Sequence, residues 1–107
     1  VSHSPTPFAA SLGRDGVGSR LEVRGRLDAA STLAFEDVAL MAADSDPELT
    51  IDLRSAELDP RGLLAVVRTL QRLRARGARL SLRAPERLAR RLVPALGDDP
   101  ARRRTGR

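Results

Sequence analysis

The side chains of this 107-residue chain best suited to covalent or acid–base chemistry are Ser31, Ser55, Ser81, the single His3, and the neighbouring acids Glu57 and Asp59. A serine becomes a nucleophile when an adjacent base takes its proton. The one imidazole, His3, lies in a Ser/Pro-rich stretch and is not near any of the three serines in sequence. Glu57 and Asp59 sit among cap and turn residues, where a carboxylate commonly accepts from backbone N–H groups. Gly13, Gly16 and Gly18 do not lead into a helix, so they do not form a phosphate-cradling loop. With no cysteine and one histidine, the chain has no thiolate framework and no imidazole cluster for a metal. The expectation is a protein without catalytic residues, metal or cofactor.

Binding chemistry is better represented. In Asp59-Pro60-Arg61-Gly62-Leu63 the aspartate is a strong helix N-cap, and proline at the next position has its φ already suited to helix entry. Arg61 then faces the positive end of the helix dipole, an unfavourable term of about 0.3–1 kcal/mol that an acidic partner group would offset. Farther along, Arg68, Arg72 and Arg76 recur every fourth residue, with Arg74 beside them. Like charges at that spacing oppose one another by about 0.2–0.5 kcal/mol per pair. The stripe reads either as a solvated face or as a docking surface for an acidic protein.

The net charge of +5 hides a division along the chain. Residues 1–59 carry five arginines against eleven acids, a net −6, and residues 60–107 carry fourteen against three, a net +11. All nineteen basic residues are arginine, while lysine, asparagine, tyrosine and tryptophan are absent, which reads first as coding bias. Arg68, Arg72, Arg87, Arg90, Arg91 and the run Arg102-Arg103-Arg104 raise nucleic-acid association as a rival reading. Against it, the two aromatics, Phe8 and Phe35, both fall at core positions, and no recognition motif is present.

These residues must be positioned by regular elements. Phe8, Ala10 and Leu12 alternate with small neighbours, and a turn follows over residues 13–18. In residues 20–27, Leu21, Val23 and Leu27 point one way while Arg20, Glu22, Arg24 and Arg26 point the other. Residues 49–53 and 79–83 repeat the alternation. Amphipathic strands of this kind suit a sheet covered by helices on one face. Helices are expected over residues 31–43, 60–76 and from Pro85, the last interrupted by Pro94 before Gly97. The first has Asp28 or Ser31 as its N-cap and turns Ala34, Phe35, Val38, Met41 and Ala42 inward, with Leu33 and Leu40 at the core edge or on an exposed ridge. The second buries Leu63, Val66, Val67, Leu70 and Leu73 and ends at Gly77; the third packs Leu88 and Leu92, with Val93 as a further candidate. Strand–helix–strand units over 20–53 and 49–83 give parallel pairings, whereas the short first connection brings strands one and two together, so the sheet is mixed.

The expected architecture is a two-layer α/β domain over residues 8–97, with a flexible leader at 1–7 and a basic tail at 98–107. No apolar run approaches the ~20 residues of a membrane span, and residues 1–10 lack the charged start and apolar core of a signal peptide. The cytoplasm is the expected compartment.

Four segments, in order and at domain-scale spacing, resemble a STAS domain, the fold of bacterial anti-sigma-factor antagonists. They are Gly25-Arg26-Leu27-Asp28-Ala29-Ala30-Ser31, Ile51-Asp52-Leu53, Asp59-Pro60-Arg61-Gly62-Leu63 and Ala75-Arg76-Gly77-Ala78-Arg79-Leu80. The family's second helix opens with a D-S-S-G-L segment whose first serine is phosphorylated by a partner kinase. Asp59, Gly62 and Leu63 match it, while the serine pair reads Pro60-Arg61, so the phosphosite-equivalent position has no hydroxyl. The resemblance implies a bacterial transcription regulator that binds a kinase-like anti-sigma ATPase without phosphoserine control. The implied binding residues are Asp59, Pro60, Arg61, Gly62 and Leu63, with the arginine face at Arg68 and Arg72. It equally implies an alternative, a small STAS subunit on the ATPase of a lipid-trafficking ABC transporter.

Overall fold

Alternation in residues 20–27 builds a strand with one dry face: Leu21, Val23 and Leu27 are fully buried, whereas Arg24 and Arg26 are exposed. The structure, a computed structural model, describes residues 7–16 and 18–96, so the leader expected at 1–7, apart from Pro7, and the tail expected at 98–107 lie outside the described residues. The elements run β1 (Ala9–Asp15), β2 (Gly18–Leu27), α1 (Thr32–Ser45), β3 (Glu48–Leu58), α2 (Pro60–Ala75), β4 (Arg79–Arg83) and α3 (Glu86–Leu96). The strands lie in the order β1-β2-β3-β4. β1 is antiparallel to β2, and β2–β3 and β3–β4 are parallel, the mixed sheet expected from the connections.

One core lies between sheet and helices. Phe35, Ala39 and Ala42 of α1, Val66, Leu70 and Leu73 of α2, and Leu92 and Ala95 of α3 meet Leu21, Val23, Leu27, Leu49, Ile51, Leu53 and Leu80 of the sheet. Arginines and acids of β2 and β3 occupy the opposite face.

Two strands are longer than their alternation suggests. β3 continues to Leu58, five residues beyond the expected end at Leu53, because β2 runs beside it to the pair Leu27↔Leu58. The register passes from Glu22↔Asp52 to Arg24↔Ser55, so β3 holds one extra residue opposite Val23. That bulge reverses the phase of the strand: Ala56 and Leu58, not Ser55 and Glu57, turn toward the core. β1 likewise extends to Asp15, paired with Gly18, past the expected start of the turn at Gly13, and Gly16 has a φ of 65°.

α1 is rotated relative to the expected arc. Phe35, Ala39 and Ala42 are buried and Val38 is half-buried, but Ala34 is exposed and Met41 is 69% exposed. Of the two edge candidates, Leu40 packs on the core while Leu33 is 73% exposed. The rotation follows from a second packing partner: α1 lies against α2 as well as the sheet, and Glu36 and Asp44 reach Arg72 and Arg76 at 2.6 and 3.4 Å.

Pro94 does not interrupt the third helix, which runs to Leu96. Its missing N–H falls in the last turn, where the loss of one intrahelical bond does not unravel the preceding residues. Val93 is 37% exposed, and Ala95 takes the inward place.

Candidate partner-docking site

The link between β2 and α1 is fixed by a buried hydroxyl. Ser31 Oγ accepts from the Asp28 N–H at 3.0 Å and donates to the Arg26 carbonyl at 3.1 Å, while Asp28 Oδ1 accepts from the Ala30 N–H at 3.0 Å. Ser31 occupies the N-cap position of α1 but makes no side-chain cap bond; its hydroxyl is turned back into the loop instead.

The next helix start is pinned to the end of β2. Asp59 Oδ1 accepts from the Gly62 N–H at 2.8 Å, completing the cap, and Pro60 stands exposed at the first helical position. The Asp59 N–H reaches the Leu27 carbonyl at 3.4 Å. Gly62 is buried against that same carbonyl, which a Cβ would overlap. Gly77, at a φ of 93°, follows the other end of α2. With its start held this way, α2 turns Leu63 partly into the core and points Arg61 and Leu64 outward.

An open groove of about 840 Å³ runs between α1 and α2. Thr32, Leu33 and Glu36 line one side, and Arg61, Leu64, Ala65, Arg68 and Arg72 line the other. Leu33 is 73% and Leu64 50% exposed. Arg72 is engaged with Glu36 and Arg76 with Asp44, so part of the arginine stripe ties α2 to α1. Among the described residues, neither Arg61 nor Arg68 forms an ion pair. The groove therefore has an apolar lining between two uncompensated guanidiniums.

The residues named from sequence divide by position. Arg61, Arg68 and Arg72 share the groove, Pro60 stands at its end of α2, and Asp59, Gly62 and Leu63 hold the helix start from behind. Of the two positions open to Leu33, core edge or contact ridge, it takes the ridge, and Leu64 joins it although the sequence pattern of buried positions does not mark it. The signal for Leu64 was available: it falls one ~100° helical step off the buried set of Leu63, Val66, Val67 and Leu70.

On the other face of the sheet, Asp52 is 2% exposed and clamped by Arg54. Arg54 Nε donates to Oδ1 at 3.0 Å and Nη2 to Oδ2 at 2.7 Å, and the Arg54 backbone N–H also donates to Oδ1 at 3.1 Å. The Arg54 hydrogen bonds hold the Asp52 carboxyl below its ordinary value, against the opposing effect of burial. The β3 bulge lies at Leu53-Arg54 and brings this side chain back over its neighbour. Both carboxylate oxygens are occupied, which suits a structural ion pair. Among the described residues no group of three potential metal ligands occurs, and Ser55, Glu57 and Ser81 are exposed.

A four-stranded mixed sheet with three helices, and a capped helix start presented at the end of β2, defines an α/β domain of the STAS type. The sequence model of the family described as "Mlab, STAS domain" matches residues 10–99, and the chain belongs to that family. Solved structures agree. An anti-sigma factor antagonist from Mycobacterium paratuberculosis is 26% identical, with a TM-score of 0.66 over 85% of this chain and 79% of that one. An antisigma-factor antagonist STAS domain from Rhodobacter sphaeroides shares the fold at 20% identity, with a TM-score of 0.52 over 91% and 97% of the two chains. Part of the protein Mglu also shares it, at 22% identity and a TM-score of 0.63, over 72% of this chain and 20% of that one. No curated protein matches the sequence. Among the described residues, no helix is long and apolar enough to cross a membrane.

Proposed function

We propose that this protein is a non-enzymatic interaction module that docks a kinase-like anti-sigma factor through the α1–α2 groove and the start of α2. The carrying observation is the pairing of exposed Leu33 and Leu64 with Arg61 and Arg68, which have no acidic partner among the described residues. An apolar anchor flanked by unpaired charge fits a protein partner carrying acidic groups around an apolar residue. The 26% identity to an anti-sigma factor antagonist supports the choice of partner class. Docking through this surface escapes phosphoserine control at residue 60, because Pro60 has no hydroxyl to modify.

A second reading places the same surface on the ATPase of a lipid-trafficking transporter. The observation that favours it is also Pro60, since such an assembly needs no phosphoryl switch.

Affinity capture from nuclease-treated lysate of the source organism, with mass spectrometry, separates the two. Wild type should recover a kinase-like ATPase, and Pro60→Ser should be phosphorylated and bind it poorly. Recovery of transport subunits by both forms would instead select the second reading. Recovery of nucleic acid alone from untreated lysate, lost at moderate salt, would reject both.

A further inference from the structure

The two edges of the sheet are built differently. β4 is five residues long, carries exposed Arg79 and Arg83 at its ends and is followed closely by Pro85, the features that keep an edge strand from pairing with another chain. β1 is less protected: its charged residues, Arg14 and Asp15, are confined to its last two positions. It is seven residues long, pairs with β2 along its whole length without a register shift, and contains neither proline nor lysine. Leu12, on the helix-side face with Ala10, is 52% exposed.

The flank of α1 above this edge is apolar as well. Glu36 and Asp44 reach across to α2, so the ~100° step per residue puts Ala34, Val38 and Met41 on the side away from α2, toward β1. Ala34 is exposed, Val38 half-buried and Met41 69% exposed. Leu12 and this flank form one apolar strip beside a strand edge that, among the described residues, no further strand pairs.

We propose that the strip is a self-association surface on which a second copy of this chain pairs antiparallel, β1 against β1, about a two-fold axis near Ser11. The sequence is self-complementary in that arrangement. Ala10 of each copy lies opposite Leu12 of the other, and on α1 the axis near Val38 sets small Ala34 beside large Met41 of the second copy. The two Arg14 side chains fall at opposite ends, about 20 Å apart along the strand direction, so they do not repel. The contact is a strip about 24 Å long, from seven residues at ~3.4 Å, and roughly 18 Å deep from sheet to outer helix surface. That amounts to about 400–450 Å² per copy, below the ~800 Å² per partner of a standard stable interface, so the dimer is weak and concentration-dependent. No ion pair crosses it. The docking groove lies on the other side of α1 and stays open in the dimer, so the proposal does not rest on the identity of the groove's partner.

Sedimentation velocity and light scattering from about 1 µM to about 200 µM cover the range in which an interface of this size associates. The weight-average mass of the wild type should rise toward that of a dimer and should not fall when salt is raised. Leu12→Arg and Met41→Arg, each at an exposed position and each checked by circular dichroism for an unchanged fold, should stay monomeric. In the otherwise cysteine-free chain, Ser11→Cys should form an intermolecular disulfide under mild oxidation and Arg14→Cys should not, since only the first brings the two Cα atoms within about 7 Å. A wild type that is monomeric throughout would overturn the proposal. So would a dimer that survives both arginine substitutions, or cross-linking at residue 14 without cross-linking at residue 11.

Discussion

Gly62 abuts the carbonyl of Leu27: the first turn of α2 rests on the last residue of β2 with no room for a Cβ between them. The contact sets the angle at which Pro60, Arg61 and Leu64 are presented, because Asp59 caps the helix through the Gly62 N–H and bonds Leu27 through its own.

Gly62→Ala should therefore reverse the usual sign of a helix substitution. In a free helix interior the change is favourable by about 1 kcal/mol; here the added methyl forces α2 off the strand end and should destabilise by about 1–3 kcal/mol. Urea unfolding of the two forms measures it, and a stabilised variant would mean that α2 does not rest on Leu27.

The Asp52–Arg54 clamp predicts an acid-sensitive contribution to stability. The Asp52 carboxyl is held below its ordinary value of 3.8 in the folded state, so the unfolded chain takes up the proton first as pH falls. The contribution is present in full above about pH 5 and declines as pH drops through the folded value. Arg54→Met should destabilise more at pH 7 than at pH 3, because only at the higher pH does it leave a buried, charged carboxylate without its fork. Thermal unfolding across that range is the measurement, and an equal loss at both pH values would remove the clamp from the account.

Ser31→Ala removes the hydroxyl that joins Arg26 and Asp28. Leaving those part-buried backbone groups short of a partner should cost about 1 kcal/mol. Ser31→Thr keeps the hydroxyl but must fit an added methyl at a buried position, so it should recover only part of the loss in the same unfolding assay.

The groove and the core should separate by mutation. Leu64→Asp and Arg68→Glu change exposed side chains and should shift stability by no more than about 0.5 kcal/mol. Leu63→Ala, half-buried against the core, should cost about 1–2 kcal/mol, less than the ~2–5 of a fully buried leucine. Partner affinity should fall at least tenfold for the two groove variants and change little for Leu63→Ala.

The parts of the fold legible in the sequence were those decided by one dominant neighbour. β2 alternates cleanly because one face meets helices and the other water, and the cap at Asp59 and the stop at Gly77 are local backbone requirements. The orientation of α1 was not legible in that way. Its inward arc depends on packing against α2 and the sheet together, which moved Met41 and Leu33 outward and Ala39 inward. The second half of β3 was hidden by the bulge at Leu53-Arg54, which breaks the two-residue period that marks a strand. In the candidate site, Arg61 and Arg68 could be named from charge and spacing, but the pairing of Arg72 with Glu36, 36 residues away in sequence, required the fold. Leu64 was hidden by its neighbour Leu63, since an apolar pair inside a helix does not show by itself which member faces out.

A protein partner docked as proposed would cover the α1–α2 groove and the start of α2. Hydrogen–deuterium exchange of the chain, free and bound to the ATPase recovered by capture, tests it most directly. Docking there should add protection in the first half of α1 and in α2 from Pro60 to Arg72, with the outer sheet face around Arg24 and Arg54 unchanged. Protection confined to that sheet face or to α3, with the groove exchanging as in the free chain, would contradict it.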